Sequence, residues 1–301
     1  MFGISTCYWT EDIKDLKHKD IIWEITNMGF EAIELEYRIP ENWFKSIKLL
    51  IKRKLKVLSI HNYFPKPNEP YIKGSGDLFL LSSTDKDEHN RAIKYTMKTI
   101  EYANDMEALA VVLHLGRVEM QNPFNKLKQL FQEAKINQKV GKKFIEKQKN
   151  IRDSLKQRHI DSVLKALDRL LPYAEKYGIT LGIENRFYFH EIPNIEEIEL
   201  ILKEFKGGNI GYWHDIGHAV IQEKLGICFQ KDLLRSFSND IIGIHIHDVK
   251  DLEDHLAPRE GELNFKDIFD DIKKDVIKIL EVHKKAKKDF VIKAKNMFLH
   301  N

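Results

Sequence analysis

Residues 208–221 read GNIGYWHDIGHAVI. The run 210–215 is apolar up to His214 and Asp215, and His218 follows three residues later. An apolar run that short is the reading of a parallel strand covered on both faces. Its titratable end is the feature that repeats. Further strand-like runs lie at 2–6, 32–36, 57–61, 110–115, 180–185, 241–247 and 276–282. Helical patterns fill most gaps, at 12–28, 40–54, 85–106, 162–177, 195–205, 267–274 and 284–299. Eight strands alternating with helices over 301 residues predict an α/β fold, a closed (β/α)8 TIM barrel. A doubly wound open sheet is the alternative, but no Gly-rich phosphate loop follows the first strand. The whole chain, 1–301, reads as one domain.

Between the fourth and fifth strands the spacing doubles. Residues 121–160 hold 11 Lys and Arg against 3 Asp and Glu, so this insertion is basic while the whole chain carries only +3. It reads as a solvated helical insertion, a lid over the barrel mouth, or a nucleic-acid contact. Its lysines, among them Lys126, Lys128, Lys135, Lys139, Lys142 and Lys143, do not share one helical face. That spread favours the first two readings.

The near balance of 49 basic and 46 acidic residues excludes a histone-like or tail-like chain. No apolar run reaches the ~20 residues that span a bilayer. Two cysteines, Cys7 and Cys228, suggest no disulfide framework, and a cytoplasmic protein is expected. A homo-oligomer stays open.

Barrel chemistry sits at the C-terminal ends of strands. Here those ends carry His61 (SIHNYF), His114 (VVLHLGR), Glu184 (LGIENRF), Asp215 and His218 (YWHDIGHA), His245 (IGIHIHDVK) and Glu281 (ILEVH). Imidazoles and carboxylates without cysteine form a ligand set for a divalent ion such as zinc, manganese, cobalt or magnesium. Carboxylates clustered without a cation would repel.

The ordered set H…H…EN…DxxH…HxxD…H…E, each member at a strand end, resembles the xylose-isomerase-like barrels. That superfamily holds sugar-phosphate isomerases and epimerases together with the AP endonuclease family 2, endonuclease IV-like branch. The resemblance implies that Glu184, Asp215, His245 and Glu281 form a four-ligand metal site. His61 and His114 match histidines that join Glu184 in a second site in the endonuclease branch. His218, Glu253 and His255 fall where that branch builds a third. The loop APREGELNF resembles a PGEGxxDF-type loop that closes on substrate, with Arg259 where glycine is common.

Two functions follow from this resemblance. The first is a metal-dependent isomerase or epimerase of a small sugar, sugar phosphate or related polyol acid, acting through an enediolate. There Glu184 and Glu281 exchange the proton, His218 polarises a substrate oxygen, and Arg186, His61 and His114 contact the carbohydrate. The alternative is an endonuclease IV-like zinc phosphodiesterase acting on abasic DNA. The wording ENRFYFHEIP, and Leu115 where that branch usually has proline, favour the isomerase. His247 and Asp248 are expected to orient ligands, and His214 to point away.

Overall fold

The computed structural model describes residues 1–10, 18–68 and 74–298. Eight parallel strands close into a barrel: β1 Phe2–Ser5, β2 Ala32–Leu35, β3 Lys56–His61, β4 Ala110–Leu113, β5 Thr180–Glu184, β6 Ile210–Asp215, β7 Ile241–Ile246 and β8 Ile277–Leu280. Each pairs with its sequence neighbours, and β1 closes on β8 with Gly3 opposite Ile279. The expected (β/α)8 barrel is therefore the fold.

The helices begin where the sequence caps them. Asp85 accepts the Glu88 N–H at 2.8 Å before the helix Lys86–Asp105. Asn194 and Glu197 form a reciprocal capping box at Ile195–Glu204. Among the helices not singled out in the sequence are Ile216–Lys224 and Gln230–Phe237. The first follows β6 with no intervening loop, so no turn residues mark it. The expected 267–274 helix is shorter, Phe265–Phe269. Residues 12–17 of the first expected helix lie outside the described residues.

The 121–160 segment is helical, Phe124–Gln132 and Lys139–Leu155. Its buried face, with Leu127, Leu130, Ile136 and Ile145, joins Phe189, Ile221 and Val249 in a second apolar cluster. Arg152 is the one basic residue of the segment that is buried. It meets Glu197 through two bonds of 2.6 and 2.8 Å and donates to the Glu191 carbonyl at 2.8 Å. The lysines named from the sequence are divided between two helices, Lys126 and Lys128 on the first and Lys139, Lys142 and Lys143 on the second, with Lys135 between them, and all six are exposed; Gly141, Ile145 and Arg152 hold the other side of the second helix inward.

Inside the barrel, side chains alternate with period two. Ala32, Leu58, Ala110, Val112, Ile277 and Ile279 pack around a fully buried Trp213. The indole fits because its neighbours across the sheet are glycines. A Cβ on Gly182 would lie 2.9 Å from the ring, and one on Gly243 only 2.2 Å from it. Trp213 is thus an apolar floor. On β6 the next inward residue is Asp215, and Tyr212 and His214 face the helices.

Candidate functional site

The period-two step above the floor brings Glu184, Asp215, His245 and Glu281 together. One ligand atom from each lies within 4.8 Å of the others, and all four residues are buried. His245 Nδ1 lies 2.9 Å from Glu184 Oε1, 3.1 Å from Glu281 Oε2 and 3.7 Å from Asp215 Oδ2. Its other nitrogen, Nε2, sits 3.1 Å from Glu34 Oε2, which also accepts from Ser59 Oγ at 2.8 Å. A cation among the three carboxylates needs the Nδ1 lone pair, and Glu34 holds the remaining proton on Nε2.

Asp215 is held from several sides. Its Oδ1 accepts the His218 N–H at 2.7 Å, capping the following helix. His247 Nε2 lies 3.0 and 3.1 Å from its two oxygens. The His255 N–H points at His247 Nδ1 at 2.9 Å, so that nitrogen accepts and Nε2 carries the proton to Asp215. Asn185 Oδ1 accepts the Asp215 N–H at 2.7 Å.

Burial would raise the Glu184 carboxyl, but His114 and His245 beside it hold it well below the usual range. Asp215 is depressed in the same way, by His218 and His247 against its burial. Burial and Arg186 oppose a proton on His114, yet Asp77 and Glu184 push it up to about 9. Burial, with His218 adding to it and Asp215 opposing, takes His214 down to about 4; it bonds Tyr212 OH at 2.8 Å, outside the barrel as expected.

Three further donor groups adjoin the first among the described residues, one of them His247, His255 and Glu281. His61, His114 and Glu184 form another, with His114 Nε2 2.8 Å and His61 Nε2 3.5 Å from Glu184 Oε2. His218, Asp254 and His255 form the third. Here a sequence expectation fails. Glu253 points to solvent and pairs with Lys285. Asp254 takes its place, 3.9 Å from His218 Nε2 and 3.8 Å from His255 Nε2. Strand alternation puts Glu253 and His255 on one side, but His255 has a φ of 53°, which breaks the alternation.

Arg186 is buried, and its guanidinium lies 3.0 Å from Asp77 Oδ2, 3.1 Å from Glu191 Oε1 and 3.5 Å from Glu184 Oε2. Its two terminal nitrogens face three carboxylates, while its buried Nε has no hydrogen-bond partner.

Asp248 orders the loop in question. Its carboxylate accepts from the N–H groups of Val249 (2.8 Å), Arg259 (2.9 Å), Gly261 (3.1 Å) and Leu263 (3.1 Å). Arg259 adopts φ 79°, the left-handed conformation that glycine favours. The chain therefore builds the glycine-type bend without the glycine.

Sequence reasoning missed Glu34, Asp77 and Asp254. Glu34 lies one layer below the strand ends, inside an apolar run. Asp77 comes from a loop with no motif. His283 and His255 stack at 4.0 Å between ring centroids, and His255 and His247 at 4.2 Å.

A family model described as xylose isomerase-like TIM barrel matches residues 24–296. An uncharacterized protein of Methanocaldococcus jannaschii, MJ1311, is 32% identical over 117 residues. That match spans 38% of this chain and 39% of the relative. Three solved structures share the architecture along nearly the full length. A D-tagatose 3-epimerase-like protein is 21% identical, with a TM-score of 0.65, covering 99% of this chain and 96% of that one. The 3-keto-D-glucoside 4-epimerase of E. coli is 12% identical, with a TM-score of 0.67 over 100% and 99%. An AP endonuclease, family 2, from Brucella melitensis is 13% identical, with a TM-score of 0.65 over 99% and 97%. At these identities the likeness is one of fold. Among the described residues no helix is long and apolar enough to cross a membrane.

Proposed function

We propose that this chain, which belongs to the xylose isomerase-like TIM barrel family, is a metal-dependent isomerase or epimerase of a small sugar. The observation that carries the reading is the set Glu184, Asp215, His245 and Glu281. Three carboxylates buried within reach of one imidazole repel one another unless a cation joins them. Oxygen and nitrogen donors without sulfur fit zinc, manganese, cobalt or magnesium. Such an ion supplies Lewis-acid polarisation of a carbonyl and the hydroxyl beside it.

The chain's own groups do the rest. Glu34 orients His245, His247 and Asn185 orient Asp215, and Asp248 fixes the loop at the rim. Carboxylate oxygens of Glu184 and Glu281 reach the same point from β5 and from the end of β8, where a proton next to a carbonyl would be removed and returned. His218 stands in the first turn of the adjoining helix, its Nε2 3.9 Å from Asp254 Oδ2, suited to a substrate oxygen. The epimerase titles among the fold neighbours agree with this class.

The test is direct. Purified protein dialysed against manganese, cobalt or zinc should hold one ion per chain in the four-residue set. Asp215→Asn or His245→Ala should remove most of it, together with the thermal stabilisation it brings. A protein that takes up no divalent ion sinks the reading.

One observation favours a second reading. The groups His61–His114–Glu184 and His218–Asp254–His255 place three donor clusters side by side. Three zinc ions there would suit an endonuclease IV-like phosphodiesterase acting on abasic DNA. Three ions per chain, with cleavage of an abasic duplex at physiological salt, would replace the sugar reading with this one.

A further inference from the structure

We propose that this chain holds a second, uncharged ligand, a single aromatic ring carrying a carbonyl group, in a cavity outside the barrel. The cavity has a volume of about 260 Å³. It lies where Lys149 and Arg152, on the helix Lys139–Leu155, meet the stretch from Asn185 to Glu196 and the start of the helix Gln230–Phe237. Among the described residues that line it are none of Glu184, Asp215, His245 and Glu281, so it is separate from the metal set.

Its polar end is built from two guanidiniums. Arg152 gives Nη1 and Nη2 to Glu197 and the Glu191 carbonyl at 2.6 to 2.8 Å. Arg186 turns Nη1 and Nη2 toward Glu184, Asp77 and Glu191 at 3.0 to 3.5 Å. In both residues the Nε–H is buried and has no hydrogen-bond partner. The two residues are only 3% and 6% exposed. Both are fixed to Glu191, Arg152 at its carbonyl and Arg186 at its carboxylate, so the two unmatched donors stand at one end of the cavity. A buried donor without an acceptor is costly, and more so on a cation. A carbonyl oxygen of a ligand supplies the acceptor.

Charge sets the class of that ligand. Glu197 neutralises Arg152, and Glu191, at 3.1 Å, neutralises Arg186. At the rim, Lys156 pairs with Asp153 at 2.7 Å and reaches Glu196 at 3.6 Å. That leaves one further cation, Lys149, and one further acid, Asp232, in the lining. An added ion finds no unmatched partner here, and burying it is penalised. The remaining wall is apolar and aromatic, with Tyr188, Phe189, Ile227, Phe229 and Leu233. Phe229 keeps 65% of its surface exposed beside the cavity. A ring laid against it removes apolar area from water. The volume falls just below the ~300–1,000 Å³ of pockets for drug-sized ligands, which suits one ring with one substituent.

Nicotinamide and benzamide are the probes. Titrated into the purified chain and followed by ligand-observed NMR, both should bind. Benzoate and benzylamine, the same ring with either charge, should bind at least ~10-fold more weakly. Cys228 locates the site, because it lines the cavity and the other cysteine, Cys7, is buried. Its alkylation by iodoacetamide, read by peptide mass, should slow about tenfold with nicotinamide at about ten times its Kd. Cys228→Trp should fill the cavity and abolish binding. Arg152→Lys keeps a charge beside Glu197 but removes the Nε–H, and should weaken binding by ~5-fold or more. Protection is measured on the unaltered chain, so it decides the question even where a variant fails to fold. No binding of either amide, binding that leaves Cys228 unprotected, or full affinity in a folded Cys228→Trp or Arg152→Lys chain overturns the site. Benzoate or benzylamine binding as tightly as benzamide overturns the uncharged class, and the proposal with it.

Discussion

Gly243→Ala should be among the most damaging single-methyl additions in this protein. The new Cβ would lie 2.2, 2.5 and 2.5 Å from Trp213 Cζ3, Cε3 and Cη2. Comfortable carbon–carbon separations are about 3.5–4.0 Å. The obstacle is a rigid ring with no exposed surface, so it has no free end to swing. Overpacking of a filled core costs about 1–3 kcal/mol, and this geometry belongs at the upper end. Trp213→Leu alone opens a cavity and should cost about 3 kcal/mol or more. In the double variant the alanine methyl sits in the space the indole leaves. The two changes should therefore be less damaging together than their sum, by about 2 kcal/mol. Urea unfolding in the presence of a chelator measures all four proteins without the linkage of bound metal. If the two costs add to within about 0.5 kcal/mol, the ring is not what excludes a side chain at 243, and the floor described above is wrong.

Three other outcomes can be measured in the same way. Arg152→Met leaves the buried Glu197 carboxylate uncompensated and should cost about 3–5 kcal/mol; adding Glu197→Gln should recover much of it. Arg259→Gly should raise stability by about 1 kcal/mol by relieving the left-handed backbone at φ 79°. Glu41 accepts hydrogen bonds from Lys98 and Tyr102 and pairs with Lys45, each at 3.0 Å, and these partners, Lys98 first, hold it down at about 2. Its folded value lies below its unfolded one, so its contribution is complete above about pH 4.5 and is lost as pH falls toward 2. With the side chain 28% exposed, water screens the pairs. Glu41→Gln should cost no more than about 1 kcal/mol at neutral pH, and its difference from the parent should vanish in acid.

Strand ends were legible in the sequence because each apolar run stops at a titratable residue, and period two then sets which residues point inward. That logic located Glu184, Asp215, His245 and Glu281. It could not locate Glu34, which sits mid-run in AIEL and looks like one polar interruption of a core strand. It erred at Glu253 because one positive φ at His255 reverses the alternation, and nothing in the residue type announces that angle. It did not foresee the acids that surround Arg186, since Asp77 comes from a loop and Glu191 from a two-residue strand paired with Arg117, and no local pattern marks either. The insertion was visible as charge, but which face of its second helix turns inward depends on tertiary partners at Glu197 and Phe189.

Those partners make the insertion part of the same cooperative unit as the barrel mouth. Arg152 bonds Glu197 and the Glu191 carbonyl, and Glu191 in turn holds Arg186 and the Tyr188 N–H. Opening the helix Lys139–Leu155 would therefore release the loop that carries Arg186, and the hold on Glu184 with it. Amide exchange in that helix and in residues 185–192 should then report one shared opening free energy. A segment added to the barrel thereby becomes a brace of its mouth, through a contact between Arg152 and Glu197 that spans 45 residues of sequence.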